Sequence, residues 1–540
     1  MIRRSIAACI IVFLLWLQHE YASSQEHCIS CHANEKLHIR LPNGLIRSLY
    51  VNPDRFASSV HGKFKCTDCH TNMRPMKKSH QITMNSPLSG YRRDIPNEIK
   101  PFVRRAYRLS QPALAACIEC HKEHFKLYSK SEHAMSILSG SDDPPMCTDC
   151  HGSHYILSNE DPRSLIYPSN VIWVCAKCHA NKEMMLRHKV NTHTVTTYLG
   201  SFHGKKLHLG SKRSANCVTC HGYHSILSPS DPASMMHPSK RSLLCANCHE
   251  GGGEKFALTF THKLASPSER PAVYWVNLLF ELFVIIVLIS MFAYTLLDAV
   301  VMGALWCARA IHKEGEELKG YVQRWNVHQI LQHFLFMGSV MALMLTGLPL
   351  KGFWSPISLF LLELLGGVDN AAIIHRVAGI VMLIAVVYHL LYLLVQFALG
   401  NRRTEMLPTF KDFVDFYHSI LFLLRIRREP PKMGRYNFVE KFLYWAAGWG
   451  ILMMGVTGIM LWQAPLVAER TSPQLVEIAH ALHSHEAVLA TFALLCFHIY
   501  FAHLRPDVFP MSTVWLTGKI SLRELKERHA LEYEHRSTNS

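Results

Sequence analysis

The sequence predicts a mostly α chain in two parts. The first half is loop-rich and dense in cysteine and histidine; the second is a bundle of five transmembrane helices. Three observations carry that reading. Seven copies of CxxCH fall between Cys28 and His249. Five long apolar segments lie beyond residue 265. A twelve-residue phrase occurs twice, CTDCHGSHYILS from Cys147 and CVTCHGYHSILS from Cys217. At 540 residues the chain is too long for one ordinary domain.

The first element is a leader. MIRRSIAACIIVFLLWLQHEYASSQ has two arginines, an apolar run and then small residues. It reads as a secretory signal peptide over 1–24, with an uncleaved anchor as the alternative. Cys9 inside it is incidental. Export places the next domain, 25–265, in an oxidising compartment.

That domain holds fourteen of the 17 cysteines as seven pairs: Cys28/Cys31, Cys66/Cys69, Cys117/Cys120, Cys147/Cys150, Cys175/Cys178, Cys217/Cys220 and Cys245/Cys248. A histidine comes directly after each pair: His32, His70, His121, His151, His179, His221 and His249. This is the c-type haem attachment pattern. Two thiols three residues apart reach the two vinyl groups of one haem as thioethers, and the adjacent histidine meets the iron. Zinc sites, redox dithiols and a disulfide framework give no reason for that histidine in all seven copies. Seven covalent c-type haems are therefore expected.

Electron-transfer haems take two axial ligands, and each CxxCH supplies one. The 35 histidines of the chain hold the candidates for the other. Residues 133–179 and 203–249 match without gaps at the repeated phrase, at Asp161/Asp231, Pro162/Pro232, Ser164/Ser234 and Pro168/Pro238, and at a second CxxCH. This is a tandem 70-residue repeat. Each copy opens with a histidine (His133, His203), carries CHGxH (His154, His224) and is succeeded by another histidine (His193, His262); SVHGKFKCTDCH adds His61. These seven are the favoured distal ligands. His27, His38, His80, His124, His188, His208 and His237 keep individual assignments open. Haem replaces a hydrophobic core here, so short helices and loops suffice.

The apolar segments lie at about 271–302, 328–350, 372–399, 438–465 and 477–504, each longer than the ~20 residues that cross a bilayer. With their connections they make a transmembrane domain over 266–505, with a cytoplasmic tail over 506–540. Basic residues concentrate in two loops: Arg309, Lys313, Lys319 and Arg324 in one, and Arg402, Arg403, Lys411, Arg425, Arg427, Arg428, Lys432 and Arg435 in the other. The opposite loops carry only Lys351 and Arg470. The basic loops face the cytoplasm and the first span starts outside, on the side to which the leader sends the CxxCH domain. PTFKDFVDFYHSILFLL reads as an amphipathic helix on the cytoplasmic face. The net charge of +16 is then positive-inside bias plus a counterweight to haem propionates, not a nucleic-acid signature.

Histidines inside spans are functional by default. His375 and His389 are fourteen apart, about 40° short of four turns and about 21 Å in rise. His483 and His498 are fifteen apart, about 60° past four turns. His328 and His333 lie at the start of the second span. The arrangement suits two stacked b-type haems in a helix bundle. Cys307 and Cys496 read as buried thiols.

RWNVHQILQHFLFMGSVMALMLTGLPL, IIHRVAGI, EKFLYWAAGWGILMMGVTGIMLW and HIYFAHL resemble the dihaem cytochrome b subunits of formate dehydrogenase and nickel–iron hydrogenase. The whole plan resembles fused inner-membrane b/c cytochromes of metal-reducing bacteria, and RPDVFPMSTVWLTGKI is similar to the segment after the last span there. The resemblance implies that His333 and His498 hold one b haem, on the cytoplasmic side, and His375 and His483 the other, on the periplasmic side. Two departures stand. The family's fourteen-residue spacing in the last helix lands on Ser484, and His389 is an additional histidine able to replace His333. The first span has no family counterpart and reads as a tether.

The function expected is oxidation of membrane quinol, menaquinol by the resemblance, with delivery of electrons to a periplasmic cytochrome or reductase. The expected location is the bacterial inner membrane, multi-pass, in contact with lipid and the quinone pool. The alternatives are a terminal reductase of a small oxyanion such as nitrite or tetrathionate, or a membrane-anchor subunit in a complex with a dehydrogenase.

Overall fold

The computed structural model describes residues 28–40, 46–70, 97–108, 114–312, 320–352, 355–401 and 404–538. The segment read as a leader, with Cys9, lies outside them, as do His27, His80 and the loop residues Lys313, Lys319, Arg402 and Arg403. The chain divides into two compact units. One runs to Leu207 and resumes over Lys212–Leu244; the other is His208–Ser211 with Cys245–Ser540. The seventh CxxCH belongs to the unit that holds the spans.

The first unit is short helices joined by loops, with one small hairpin in which strand β1 (His38–Arg40) pairs antiparallel with β2 (Ile46–Ser48). CxxCH motifs sit on single helical turns: Cys66–Cys69, Cys147–His151 and Cys217–His221, or the ends of Leu114–Cys120 and Val171–His179. A helical turn puts residues three apart on one face, so both thiols of a pair point the same way. The residue between the thiols also starts the turn. The carboxylates of Asp68 and Asp149 accept the backbone N–H of Lys65 (2.9 Å) and Met146 (2.7 Å), and Thr219 and Asn216 cap each other. The apolar core is small: Phe102, Ala106, Leu114, Ile118, Ala134, Ile137 and Met146.

The two copies of the repeated phrase fold alike. Gly152 and Gly222 both take left-handed φ, 78° and 76°, which only glycine adopts freely. The Ile156 carbonyl accepts the Val60 N–H at 2.8 Å, and the Ile226 carbonyl accepts the Glu132 N–H at 2.9 Å. Val60 and Glu132 immediately precede His61 and His133, so each phrase pins the backbone beside a histidine.

In the second unit five helices are long and apolar enough to cross a membrane: Pro271–Ala308, Val327–Lys351, Val368–Ala398, Phe438–Trp462 and Pro473–Leu504. This is a multi-pass membrane protein. The second span packs on the third, the fourth on the fifth, and the first on the fifth. The second and fourth spans open with the same device, Asn326 with Gln329 and Asn437 with Glu440, each a reciprocal cap. The first span is fastened by a buried ion pair. Asp298, 1 % exposed, accepts from Arg505 Nε (2.8 Å) and from the Tyr500 hydroxyl (2.8 Å). Cys307 and Cys496, on the first and last spans, are exposed rather than buried. A helix in lipid has no need to turn a thiol inward, because the hydrocarbon around it is as apolar as the bundle interior.

The amphipathic segment forms the helix Phe410–Leu423, which packs Phe422 and Leu423 on Val301 of the first span and leaves Phe410 and Phe413 exposed. The C-terminal stretch is a folded cap rather than a loose tail. Strand β3 (Tyr321–Gln323) pairs antiparallel with β4 (Lys519–Ser521). Helices Leu522–Arg528 and Ala530–Thr538 come next. Between them His529 is buried, with Nδ1 donating to the Gly434 carbonyl at 2.9 Å and Nε2 3.2 Å from Arg324.

Candidate haem-binding histidines

Two imidazoles that share one iron from opposite sides have a fixed separation. Metal–nitrogen bonds of about 2 Å and a ring radius of about 1 Å put their centroids about 6 Å apart. Histidine pairs that meet this condition at 6.0–6.5 Å include His333/His498, His375/His483, His61/His121, His70/His154, His133/His179 and His151/His224.

In the bundle, His375 and His483 face each other at 6.3 Å. His375 Nδ1 lies 2.9 Å from the Thr346 hydroxyl and His483 Nδ1 lies 3.0 Å from the Thr457 hydroxyl. Each hydroxyl donates its own hydrogen back to its helix, to the carbonyls of Ala342 (2.6 Å) and Met453 (2.7 Å). It can then only accept from the ring. That fixes the proton on Nδ1 and leaves the Nε2 lone pair for a metal. The residue after each threonine is glycine. A Cβ at Gly347 would stand 3.0 Å from His375 Cε1, and one at Gly458 would stand 3.3 Å from His483 Cε1. Each Thr-Gly pair is thus a seat: the hydroxyl orients the ring and the missing side chain makes room for it.

At the other end His333 faces His498 at 6.5 Å. The fifteen-residue spacing of His483 and His498 is accommodated by a change of helix type. Pro473–Phe492 is α-helical, but Ala493–His498 and Tyr500–Leu504 are π turns. A π bulge takes up one additional residue, so fifteen residues cover about the rotation of fourteen α residues, 40° short of four turns. The histidine that the family's spacing would place at 484 is therefore at 483. Ser484 instead lies 3.3 Å from Lys351 Nζ.

His389 occupies a different setting from His333. Both of its ring nitrogens are engaged, Nδ1 with Gln332 Oε1 and Nε2 with the Tyr444 hydroxyl, each at 2.8 Å. His328 Nδ1 is 2.8 Å from the Tyr388 hydroxyl.

In the first unit the four pairs interleave. His61 faces His121 of the third motif, His154 faces His70 of the second, His133 faces His179 of the fifth and His224 faces His151 of the fourth. In both copies the second histidine of CHGxH reaches back to the motif two before its own. The rings are held neutral: burial, then the facing His179, pushes His133 down to about 4, and burial lowers His61, His70, His151, His154, His179 and His224. Neutral imidazole is the ligating form. His32 donates Nδ1–H to the Leu49 carbonyl at 2.7 Å, leaving Nε2 open.

The thiols trace the order of the motifs. Cys66 is hydrogen-bonded to Cys28, Cys69 is near Cys120, Cys117 near Cys147, Cys150 near Cys175, and Cys175 is hydrogen-bonded to Cys217. The first six motifs therefore neighbour one another in sequence order. Within each pair the first cysteine is half-buried, and the second differs from motif to motif. Cys31, Cys69, Cys120 and Cys248 are exposed, whereas Cys150, Cys178 and Cys220 are half-buried like their partners. The sequence treats all fourteen thiols alike; the structure does not: Cys150, beside Cys175 and Cys178, is half-buried, whereas Cys31 and Cys248 of the first and last motifs are exposed. Burial pushes Cys117 up to about 12 and Cys147 and Cys150 up to about 11. Every described cysteine is free of disulfide bonds.

The remaining distal candidates, His193, His203 and His262, also lie among the described residues. His193 caps the helix Thr194–Gly200, the His203 carbonyl accepts from Ser214 Oγ at 2.8 Å, and His262 lies against Phe260 at 5.4 Å. His221 is lowered by burial and then by His179, and the His249 ring lies tilted against Phe256 at 4.9 Å. His124 lies one helical turn after His121, beside it rather than across from it. His188 Nε2 is bonded to Asp143 at 2.8 Å. Thr346, Gly347, Thr457 and Gly458 escaped the sequence reading. Their signal was the dipeptide Thr-Gly, once in the second span and once in the fourth.

Residues 324–509 match the family described as prokaryotic cytochrome b561. The chain is 25 % identical over 198 residues to the cytochrome b556(fdo) subunit of formate dehydrogenase from Escherichia coli K12, covering 36 % of this chain and 86 % of that one. It is 25 % identical over 182 residues to the nitrate-inducible b556(Fdn) subunit of the same organism, with 34 % and 77 % covered. Against the cytochrome b556 subunit of Haemophilus influenzae it is 27 % identical over 206 residues, with 38 % and 78 % covered. The matched stretch carries both facing pairs of the bundle and both Thr-Gly seats. Residues 324–509 form a b-type cytochrome domain similar to the cytochrome b subunits of formate dehydrogenases.

Proposed function

We propose that the chain is a respiratory cytochrome of the bacterial inner membrane that oxidises quinol, menaquinol in particular, and delivers the electrons to a periplasmic acceptor such as another cytochrome. In this reading His333/His498 and His375/His483 ligate two b-type haems. The seven CxxCH motifs hold seven c-type haems, closed by His61, His133, His154, His193, His203, His224 and His262. The observation that carries it is the pair of facing imidazoles at each end of the bundle, joined in one chain to seven haem-attachment motifs. Haem between two imidazoles supplies a low-spin, reversible one-electron centre.

The chain's own groups do the rest. Thr346 and Thr457 hold the proton on Nδ1 of their histidines. The six neighbouring motifs of the first unit lie in a series, and the interleaved histidines tie each haem site to a distant part of the chain. The basic residues in the loops between spans one and two and between three and four support a cytoplasmic side for the His333/His498 end and a periplasmic side for the CxxCH motifs. The relatives are subunits by name, so complex partners are part of the proposal.

The test is a redox titration of the detergent-purified protein, then reduction by a menaquinol analogue, with the b and c α-bands monitored. Expected are low-spin haem throughout and quinol-driven reduction of b and then c bands. Absence of b-type absorption, or c bands that quinol cannot reduce, overturns the proposal. A high-spin c signal that shifts with nitrite makes the chain a terminal reductase instead.

A further inference from the structure

The seventh CxxCH, 245–249, lies in the membrane unit, and the segment leaving it is pinned at two points. Glu469, on the helix Ala464–Arg470, accepts the Phe256 N–H through its carboxylate at 2.8 Å. Its backbone carbonyl accepts from Lys255 Nζ at 3.1 Å. Gly253 passes so near that a Cβ there would stand 2.7 Å from Glu469 Oε1. Phe256 packs its ring 4.9 Å from that of His249, so the residue bonded by Glu469 is also the one against the motif's histidine. Farther on, the Arg270 guanidinium pairs with Glu477 and donates to the Lys263 carbonyl at 2.9 Å. Glu477 is on the helix of His483, six residues before it and about 9 Å away in rise.

A half-buried carboxylate accepting a backbone N–H, and approached by a glycine with no side chain in the way, is a specific fit rather than a chance surface contact. We propose that Glu469 is a positioning residue. It fixes the seventh c-type motif at the His375/His483 end of the dihaem bundle and makes that motif the bundle's own c-type partner. The proposal rests on the haem reading of 245–249 and of His375/His483. The far end of the same segment is held by Arg270 and Glu477, so removal of Glu469 frees the motif without detaching the segment.

The test uses the full-length protein in detergent. Amide hydrogen exchange reports on the Phe256 N–H, and spectropotentiometry reports on each haem class. Glu469→Ala is expected to speed exchange over 254–258 about tenfold, the loss of roughly one charge-assisted hydrogen bond, and to shift one c-type component while the b components stay. Glu469→Gln keeps an oxygen that accepts from Phe256 and is expected to restore protection and the shifted component. Unchanged exchange and an unchanged c titration in Glu469→Ala overturn the proposal. So does a shift of the b components equal to that of the c component, because Glu469 would then only brace the bundle. Failure of the underlying haem reading shows separately, as wild-type protein without b or c absorption.

Discussion

The two units meet one geometric demand, two imidazoles about 6 Å apart, by opposite means. In the first unit the position of each group is announced locally by CxxCH, and the second ring arrives from a distant loop. What holds that ring's segment is backbone: the Ile156 and Ile226 carbonyls fasten the residues beside His61 and His133. In the bundle nothing is announced locally. Both rings project from helices, and what holds them is side chain: threonine hydroxyls and the space left by glycine. Under the proposed function, covalent attachment would let loops carry the remaining ligand. Without it, helix periodicity and an oriented ring must carry everything.

The largest effect should come from the bundle rings themselves. His483→Ala or His333→Ala is expected to lower b-haem content by about half with c content unchanged, read as the b:c ratio in a pyridine haemochrome assay. His389→Gln is expected to keep both b haems, because His389 is already engaged by Gln332 and Tyr444. Loss of a b haem in that variant would exchange the roles of His333 and His389.

The Thr-Gly seats should give intermediate effects, graded by distance. Gly347→Ala places its methyl 3.0 Å from the ring and Gly458→Ala 3.3 Å, so the first should cost more b-haem occupancy than the second. Thr457→Val removes the acceptor for His483 Nδ1–H. A lost hydrogen bond of about 1 kcal/mol should move one b midpoint by about 40 mV, with the c potentials still. An equal shift in the c bands would mean that the two units are not independent.

The smallest effect belongs to the C-terminal cap. Burial, against an opposing pull from Glu440, pushes His529 down to about 4. Its unfolded value is near 6.5. The unfolded chain therefore binds the proton first, and the cap is at full stability above about pH 6.5 and loses it as pH falls toward 4. Limited proteolysis of 519–538 across that range checks the direction, and His529→Gln should flatten the dependence.

Much of this was legible in the residues. Five apolar runs announce the spans that the structure forms, because lipid leaves few alternatives. How far each thiol is covered was not legible: Cys31, Cys220 and Cys248 read identically in sequence, yet the first and last are exposed and Cys220 is half-buried. His133, His154 and His224 stood out through the repeat and His61 through SVHGKFKCTDCH, but the rings they face did not. The pairing of His154 with the second motif and His224 with the fourth depends on how loops cross, which no local period encodes. The Thr-Gly seats were missed because each is a helix-interior dipeptide without a periodic signature. The folded cap was missed because β3 and β4 are three residues each and about two hundred residues apart in the chain. Asp298 was missed because one carboxylate barely disturbs an apolar run, although its ion pair with Arg505 ties the tether to the bundle.

The π turns between His483 and His498 bear on how such helices change length over time. An inserted residue in a straight membrane helix turns everything beyond it by about 100°, which would swing a ligand out of its cavity and strand a polar group in lipid. Where the coil can widen locally, the rotation is absorbed before it reaches the next ligand. A single-residue gain or loss then becomes a tolerated event in a segment otherwise closed to it. Comparisons of bundles in this family should accordingly allow a gap inside the last helix, because a gapless alignment would pair His483 with the wrong neighbour.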